Sequence, residues 1–500
     1  MKKILCFLSR NDYMALEAAA EYACEGDEVL FLGCDQSFGI CHENEVASPV
    51  RCLFCTHQMH VKVMEFKNKF PKIKVSYKKI SNYYCPQMVT RAQKYDFTYN
   101  SVKELKSIRY KAVDIGFSAF SNYVSFTRNV MPEFNDYFHS YIDYMLRKQV
   151  LLVDVVESLL THNNYSLIIF HNGRFANLKA LYCLAKKLNI DFVTTEVISG
   201  ADGWKKKNNF VNNLPHTKEA CLKKVDVAWE KCGEKGMDIG QTFFVNRRNA
   251  KPAGDKIYTA NQIQGKLPEN IDNNKRIISI FNSSEDEFFS ISKEIDDYAL
   301  FENQYTALKT IFEHYKDNRE LHFYLRIHPN LANVPYKSHT ILYDLKYDNV
   351  TIIPPMSDIS SYALMDISEK VIVFNSTMGL ESAYWGKPVI ALAQYIYDKV
   401  EYCPNSTNEL FELIDNRFLP CKKVKMDCCK IATYLLGYHG EKFLYFPDRF
   451  YDFRFFGKPL KVHSQFKLFG SDKLKMIIEG IICHLSRPLD KFKNIASRTC

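Results

Sequence analysis

Two stretches of the chain place hydroxyl, imidazole, guanidinium and carboxylate groups at the ends of apolar runs, where such groups can meet a ligand. In VIVFNSTMGLESAYWGKPVIAL, residues 371–392, an apolar strand leads into Asn375, Ser376 and Thr377. A helix follows, and Gly386-Lys387-Pro388 turns the chain into the next apolar strand. The carboxyl edge of a parallel sheet beside a helix N-terminus is where α/β proteins hold phosphorylated ligands, because the N–H groups of the first helical turn lack helical partners. Ser376 and Thr377 add hydroxyl donors, and Glu381, one turn on, can hold the two hydroxyls of a ribose. The plainer alternative is a helix capped by Ser376, with Glu381 as a surface residue.

In LRIHPN, residues 325–330, a second apolar strand ends in Arg326, His328, Pro329 and Asn330. An imidazole fixed by the following proline can donate to a phosphate oxygen and offset charge on a leaving nucleotide. Both stretches end strands of one expected sheet, hence on one rim. Asn172-Gly173-Arg174 lies between another strand and helix, where Arg174 could meet an anionic acceptor or the donor sugar, or where Asn-Gly simply makes a turn. Arg247 and Arg248 could face the same cleft or sit in a solvated connection. Near the N-terminus, Cys34, Cys41, Cys52 and Cys55 fall within CDQSFGICHENEVASPVRCLFC. Four thiolates suit tetrahedral zinc or an iron–sulfur cluster, although only the last pair has ribbon-like spacing, and unligated thiols are the alternative.

Strands and helices must alternate for these residues to be placed so. Lys3–Ser9 and Glu28–Leu32 read as strands around a helix at Met14–Glu25, and Ser166–Phe170 and Asp191–Thr195 flank a helix at Ala176–Leu188. Asp114–His162 reads as largely helical and rich in aromatic residues. A second series runs through strands at Arg276–Phe281, His322–Ile327, Asn349–Ile353, Lys370–Phe374 and Pro388–Ala391, with helices at Asp297–His314 and Thr377–Tyr384. The expected class is α/β, with two doubly wound, Rossmann-like domains facing a cleft. Expected boundaries are 1–200 for the first, acceptor-side domain, 201–270 for an interdomain passage and 271–440 for a nucleotide-binding domain. A basic amphipathic tail with a short helix would then occupy 441–500.

The length, 500 residues, fits two large domains or three small ones, and 47% hydrophobic with 25% charged residues excludes a disordered or fibrous chain. The apolar run after Met1-Lys2-Lys3 stops after five residues, which favours a first strand over a signal peptide. Sixteen cysteines without such a signal point to a reducing, cytoplasmic setting. The net charge is +9; from Arg454 to Cys500 ten basic residues stand against three acidic ones, so +7 of it lies in the tail. Such a tail could sit on an anionic membrane surface or dock on its own domain with a solvated basic face. With no stacking module beside it, it does not read as a nucleic-acid site.

His-Pro in the second domain, followed by a Ser/Thr-rich helix start and a Glu, resembles the nucleotide site of bacterial surface-polysaccharide transferases of GT-B fold. The likeness is to capsule polysaccharide biosynthesis proteins, among them the Kdo transferases. FHNGRFANLKAL (170–181), ANQIQGKLP (260–268), FNSSEDEF (281–288) and SYALM (361–365) carry it further, over about residues 110–400. The resemblance implies that His328, with Arg326 and Asn330 beside it, contacts the donor phosphate. It gives Asn375, Ser376 and Thr377 to the phosphate or nucleotide and Glu381 to the ribose, and places Asn282, Ser283 and Ser284 along the cleft. It implies a nucleotide-activated, cytidine-type donor, a glycan or lipid-linked glycan acceptor, and catalysis without a metal, with zinc at the cysteines a structural matter. A first-domain carboxylate would be the base, Glu196 at a strand end being favoured over Asp35. The alternatives are transfer of glycerol phosphate from a CDP-linked donor, against which NSTMGLES departs from the wording of such enzymes, and a non-catalytic capsule-assembly protein with a degenerate pocket.

Overall fold

The structure, a computed structural model, describes residues 1–8, 13–41, 44, 48–254, 258–393 and 395–446, together with two short antiparallel strands, Phe453–Phe455 and Lys458–Leu460. The helix expected in the basic tail lies outside the described residues.

The first sheet has six strands: β1 (Lys3–Leu8), β2 (Glu28–Gly33), β3 (Lys74–Lys79), β4 (Leu167–His171), β5 (Asp191–Ser199) and β6 (Lys205–Val211), in the order β3-β2-β1-β4-β5-β6. All pairings are parallel except β5 with β6. β1 is apolar throughout because it is covered on both faces. Leu5 and Phe7 pack toward the helices Ile115–Thr127, Asp136–Thr161 and Lys179–Lys187, whereas Ile4, Cys6 and Leu8 pack toward Tyr13–Tyr22 and Pro49–Lys69.

The second sheet, β7 (Arg276–Phe281), β8 (Leu321–Arg326), β9 (Val350–Ile353), β10 (Lys370–Val373) and β11 (Val389–Ala391), is parallel throughout in the order β11-β10-β7-β8-β9. In each sheet the chain order reverses beside the first strand, so a ligand crevice opens at the carboxyl ends of β1/β4 and of β7/β10. This is the two-domain, doubly wound α/β arrangement expected from the sequence.

Several boundaries differ from the sequence reading. The long helical region breaks at Arg128, whose left-handed backbone (φ 59°) ends one helix before Asn135 caps the next by accepting the Phe138 N–H. The helix expected from Asp297 starts at Gln304, where the Asn303 side chain caps it; just before it, Leu300 N–H bonds Leu392 O beyond β11. Residues 201–270 are more structured than a passage. β6 extends the first sheet to Val211, its polar sequence being tolerated because Lys207 is neutralised by Glu21 and Glu17. The helices Lys218–Cys232 and Gly236–Arg248 pack against Lys425–Leu435 in the second domain's core.

Beyond residue 440 the chain returns to the first domain. Lys207 and Glu441 exchange backbone hydrogen bonds at 2.8 and 3.0 Å, and the N–H groups of Leu444, Tyr445 and Phe446 all donate to the buried Glu17 carboxylate. Among the described residues no helix is long and apolar enough to cross a membrane.

Candidate active site

A pocket opens at the carboxyl ends of β7 and β8, facing the start of the helix Thr377–Tyr384. Arg326, the last residue of β8, is only 3% exposed. One terminal nitrogen, Nη2, donates to Ser357 O at 2.9 Å, while Nε and Nη1 are buried without a partner among the described residues. Burial pushes the guanidinium down to about 10, with Asp358 partly restoring it, so it stays charged at neutral pH. A buried cation with two unmet donors is costly, and an anion that reached them would offset that cost.

His328 follows on the same strand end. Its N–H donates to Asn282 Oδ1 at 2.7 Å, and its Nδ1 accepts the Asn330 N–H at 3.2 Å. With Nδ1 an acceptor, the ring proton resides on Nε2. Burial, then Arg128, depresses the imidazole to about 4, against a smaller opposing pull from Asp286. His328 is therefore a neutral hydrogen-bond donor, and the positive charge at the site belongs to the arginines.

Ser376 caps the helix, its Oγ accepting the Met378 N–H at 3.3 Å, and it lines the pocket as well. The cap is the plainer of the two sequence readings, and it leaves Ser376 on the pocket wall. Glu381 is fully buried. Its Oε1 accepts from Arg247 Nε at 2.9 Å and its Oε2 from the Tyr362 hydroxyl. It lines the pocket, but its oxygens are committed to neighbours, so its evident work is to aim Arg247, whose Nη2 reaches Thr377 Oγ1 at 3.3 Å. Arg248 turns away to pair with Asp366.

The sequence did not single out Tyr362, Tyr258, Thr259 or Gln262 as site residues, and left Arg247 undecided. A signal was there: ANQIQGKLP and SYALM stood out in separate parts of the chain. They meet at the pocket, where Gln262 Oε1 accepts the Ser361 N–H at 2.8 Å.

Ser283, Ser284 and Asn330 do not line this pocket and lie beside it, Ser283 on the space between the domains. Ser283 Oγ donates to Phe374 O at 2.6 Å, joining the ends of β7 and β10. Arg128 of the first domain donates Nε to Asp286 at 2.7 Å, Nη2 to Ser284 Oγ at 2.7 Å and Nη1 to Asn330 O at 3.2 Å, a forked bridge between domains. Asn375 has a left-handed backbone (φ 51°), and its buried Oδ1 has no partner among the described residues.

In the first domain, Asn172 and Arg174 follow β4, and Glu196, expected at a strand end, lies within β5, which runs on to Ser199 alongside β6. Asn172 Nδ2 donates to Glu196 Oε1 and to His216 Nε2, the latter at 2.9 Å. His171 stands 4.0 Å from Glu196, and burial holds His216 down at about 4, Glu196 opposing. Arg174 donates to Ser125 Oγ at 2.9 Å and feels the field of Glu196. His216 O lies at the domain junction, 3.5 Å from the Tyr395 hydroxyl. Asp35 accepts from Ser37 and Ser81, which ties its own loop.

Cys34 directly follows β2, Cys52 and Cys55 lie on the helix Pro49–Lys69, and Cys34, Cys41 and Cys52 are all within electrostatic range of Tyr144. Burial pushes the Cys34 thiol up to about 11, and Cys52 Sγ accepts the Asn44 amide at 3.1 Å. Among the described residues no group of three or more His, Cys, Asp or Glu side chains is placed to hold a metal ion. His42 lies outside the described residues.

No curated protein matches the chain. Among solved structures, a putative UDP-N-acetylglucosamine 2-epimerase from Listeria monocytogenes is similar at 12% identity and a TM-score of 0.26, covering 88% of this chain and 93% of that one. KpsC from Thermosulfurimonas dismutans, a β-Kdo 2,7 transferase, is similar at 14% identity and a TM-score of 0.29, over 56% of this chain and 79% of its own. Residues 287–401 match the family model of capsule polysaccharide biosynthesis proteins. That span holds Arg326, His328, Asn375, Ser376, Thr377 and Glu381, and over it the likeness to capsule polysaccharide biosynthesis proteins read from the sequence is borne out.

Proposed function

We propose that the protein is a glycosyltransferase of surface-polysaccharide synthesis. It moves a sugar from a CMP-linked donor onto a capsular polysaccharide or its lipid-linked precursor, without a catalytic metal, in the cytoplasm at the inner face of the plasma membrane. The observation that carries the reading is Arg326, a buried guanidinium with two nitrogens, Nε and Nη1, left without a partner among the described residues, in a pocket shared with His328 Nε2–H and the first turn of the helix Thr377–Tyr384. These donors converge where negative charge would collect on a departing nucleotide phosphate, and fixed donors in a water-poor pocket stabilise such charge more than solvent does. The family match over the same residues supports the surface-polysaccharide assignment.

Thermal-shift measurements on the purified chain with CMP, CDP, UDP and GDP, each with and without EDTA, test the reading. Stabilisation by CMP that EDTA leaves unchanged is expected. Stabilisation by UDP or GDP alone would overturn the cytidine preference, and none by any nucleotide would overturn the site.

A further inference from the structure

Beside the anion pocket, a cavity of about 640 Å3 lies between the domains. Two pairs of consecutive residues join the spaces: Asn282 and Ser376 line the pocket, whereas their neighbours Ser283 and Asn375 line the cavity. The first domain contributes Lys106 and Phe117, the second Glu285, Phe289 and Asn375. The volume lies in the range of about 300–1,000 Å3 usual for small-molecule sites. Aromatic walls with a few convergent polar atoms suit a carbohydrate, which offers apolar C–H faces and hydroxyl edges. Asn375 Oδ1, on a residue 7% exposed and without a partner among the described residues, calls for a hydroxyl donor.

Glu285 is held for use. Its Oε1 accepts the Gln304 N–H at 2.9 Å, at the start of the helix Gln304–Tyr315, while Oε2 is hydrogen-bonded to none of the described residues. The Gln304 amide also clasps Ser283 through its main chain and hydroxyl, so the turn carrying Glu285 is fixed against the end of β7.

We infer that this cavity receives the hydroxyl-bearing carbohydrate acceptor and that Glu285 is the general base that takes its proton, an inference that rests on the glycosyl-transfer reading. The acceptor O–H gives its proton to the Glu285 carboxylate as its oxygen bonds the anomeric carbon of the donor sugar. The bond from that carbon to the phosphate oxygen breaks, and its electron pair leaves with the nucleotide.

The charges around the base set its working range. Lys103 and Lys106 face the cavity from the helix Val102–Ser107, Lys293, Asp296, Asp297 and Glu302 from the segment before Gln304, and Asp286 adjoins in sequence. Burial pushes Glu285 up to about 7; the Gln304 N–H and Lys106 pull it down and Asp286 raises it. The carboxylate needed for catalysis therefore prevails above pH 7 and is lost below it, which suits a base working near neutrality.

The test measures CMP release from a CMP-linked sugar by the full chain, with acceptor glycan extracted from the producing cells, across pH 5.5–8.5. Glu285→Gln should lower turnover roughly 100-fold or more while CMP affinity stays within about threefold. The rise in rate through pH 7 should vanish in Glu285→Gln and persist in Glu196→Gln, whatever the latter's rate. An active Glu285→Gln, or loss of that rise in Glu196→Gln alone, would overturn the assignment of Glu285 and leave the transferase reading standing. A wild-type chain that neither binds CMP nor releases it would remove both.

Discussion

Arg326 and Glu381 show how burial changes what a side chain can do. Arg326 has two donors that the protein leaves unmet, so Arg326→Met should cost affinity rather than stability. Charge-assisted hydrogen bonds contribute roughly 1.5–3 kcal/mol each, so loss of two predicts CMP binding at least about 100-fold weaker by calorimetry, with Tm unchanged or raised. Unchanged affinity would remove Arg326 from the site. Glu381 should behave in the opposite way. Its carboxylate neutralises Arg247 in a buried pair whose side chains are 1% and 14% exposed. Removing one partner of such a pair costs about 3–5 kcal/mol. Glu381→Ala should thus appear first as a drop in unfolding free energy; weaker CMP binding with full stability would restore the ribose role read from the sequence. The sequence could place both residues at strand and helix ends, because apolar runs and caps are local signals. It could not see that Arg247, more than a hundred residues upstream, occupies the carboxylate.

At the scale of elements, the apolar strands were legible and the polar ones were not. β1 and β7 announce themselves because both faces are buried, whereas β3 (KVSYKK) and β6 (KKKNNFV) are edge strands whose polar residues look like loop. The helices Lys218–Cys232 and Gly236–Arg248 were hidden for a related reason: what makes them part of the second domain is packing against Lys425–Leu435, nearly two hundred residues later. Gly240 carries that packing. A Cβ there would stand 2.4 Å from Cys429 Cβ and 2.6 Å from its Cα, a clash with backbone that no rotamer relieves. Gly240→Ala should therefore destabilise by about 1–3 kcal/mol in urea denaturation, whereas the usual helix preference for alanine would stabilise. The break at Arg128 is likewise tertiary in origin, since the left-handed residue ends its helix where the side chain can fork onto Asp286, Ser284 and Asn330.

Taken whole, the molecule is two sheets joined by bridges that no local pattern predicts: Arg128 to Asp286, Lys106 to Asp296 at 2.7 Å, and the returning chain on Glu17. The return carries a pH-sensitive flaw. His439, 3% exposed and stacked on Tyr434 at a ring separation of 4.4 Å, has both ring nitrogens buried without partners among the described residues. Burial depresses it to about 3, and Lys224, Lys231 and Lys206 push the same way. A folded pKa below the unfolded value of about 6.5 means that the unfolded chain binds the proton first as pH falls. Stability is thus lost progressively from pH 6.5 toward 3. At pH 5 the loss from this one residue is about 2 kcal/mol, from 1.36 kcal/mol per pH unit over about 1.5 units. His439→Phe keeps the stacking and removes both the unmet nitrogens and the proton linkage. Its advantage over the wild-type chain should be small at pH 8 and grow by about 2 kcal/mol at pH 5 in matched urea titrations. An advantage that stays constant between those pH values would mean that His439 is protonated in the folded protein, and that burial and the three lysines do not hold it neutral.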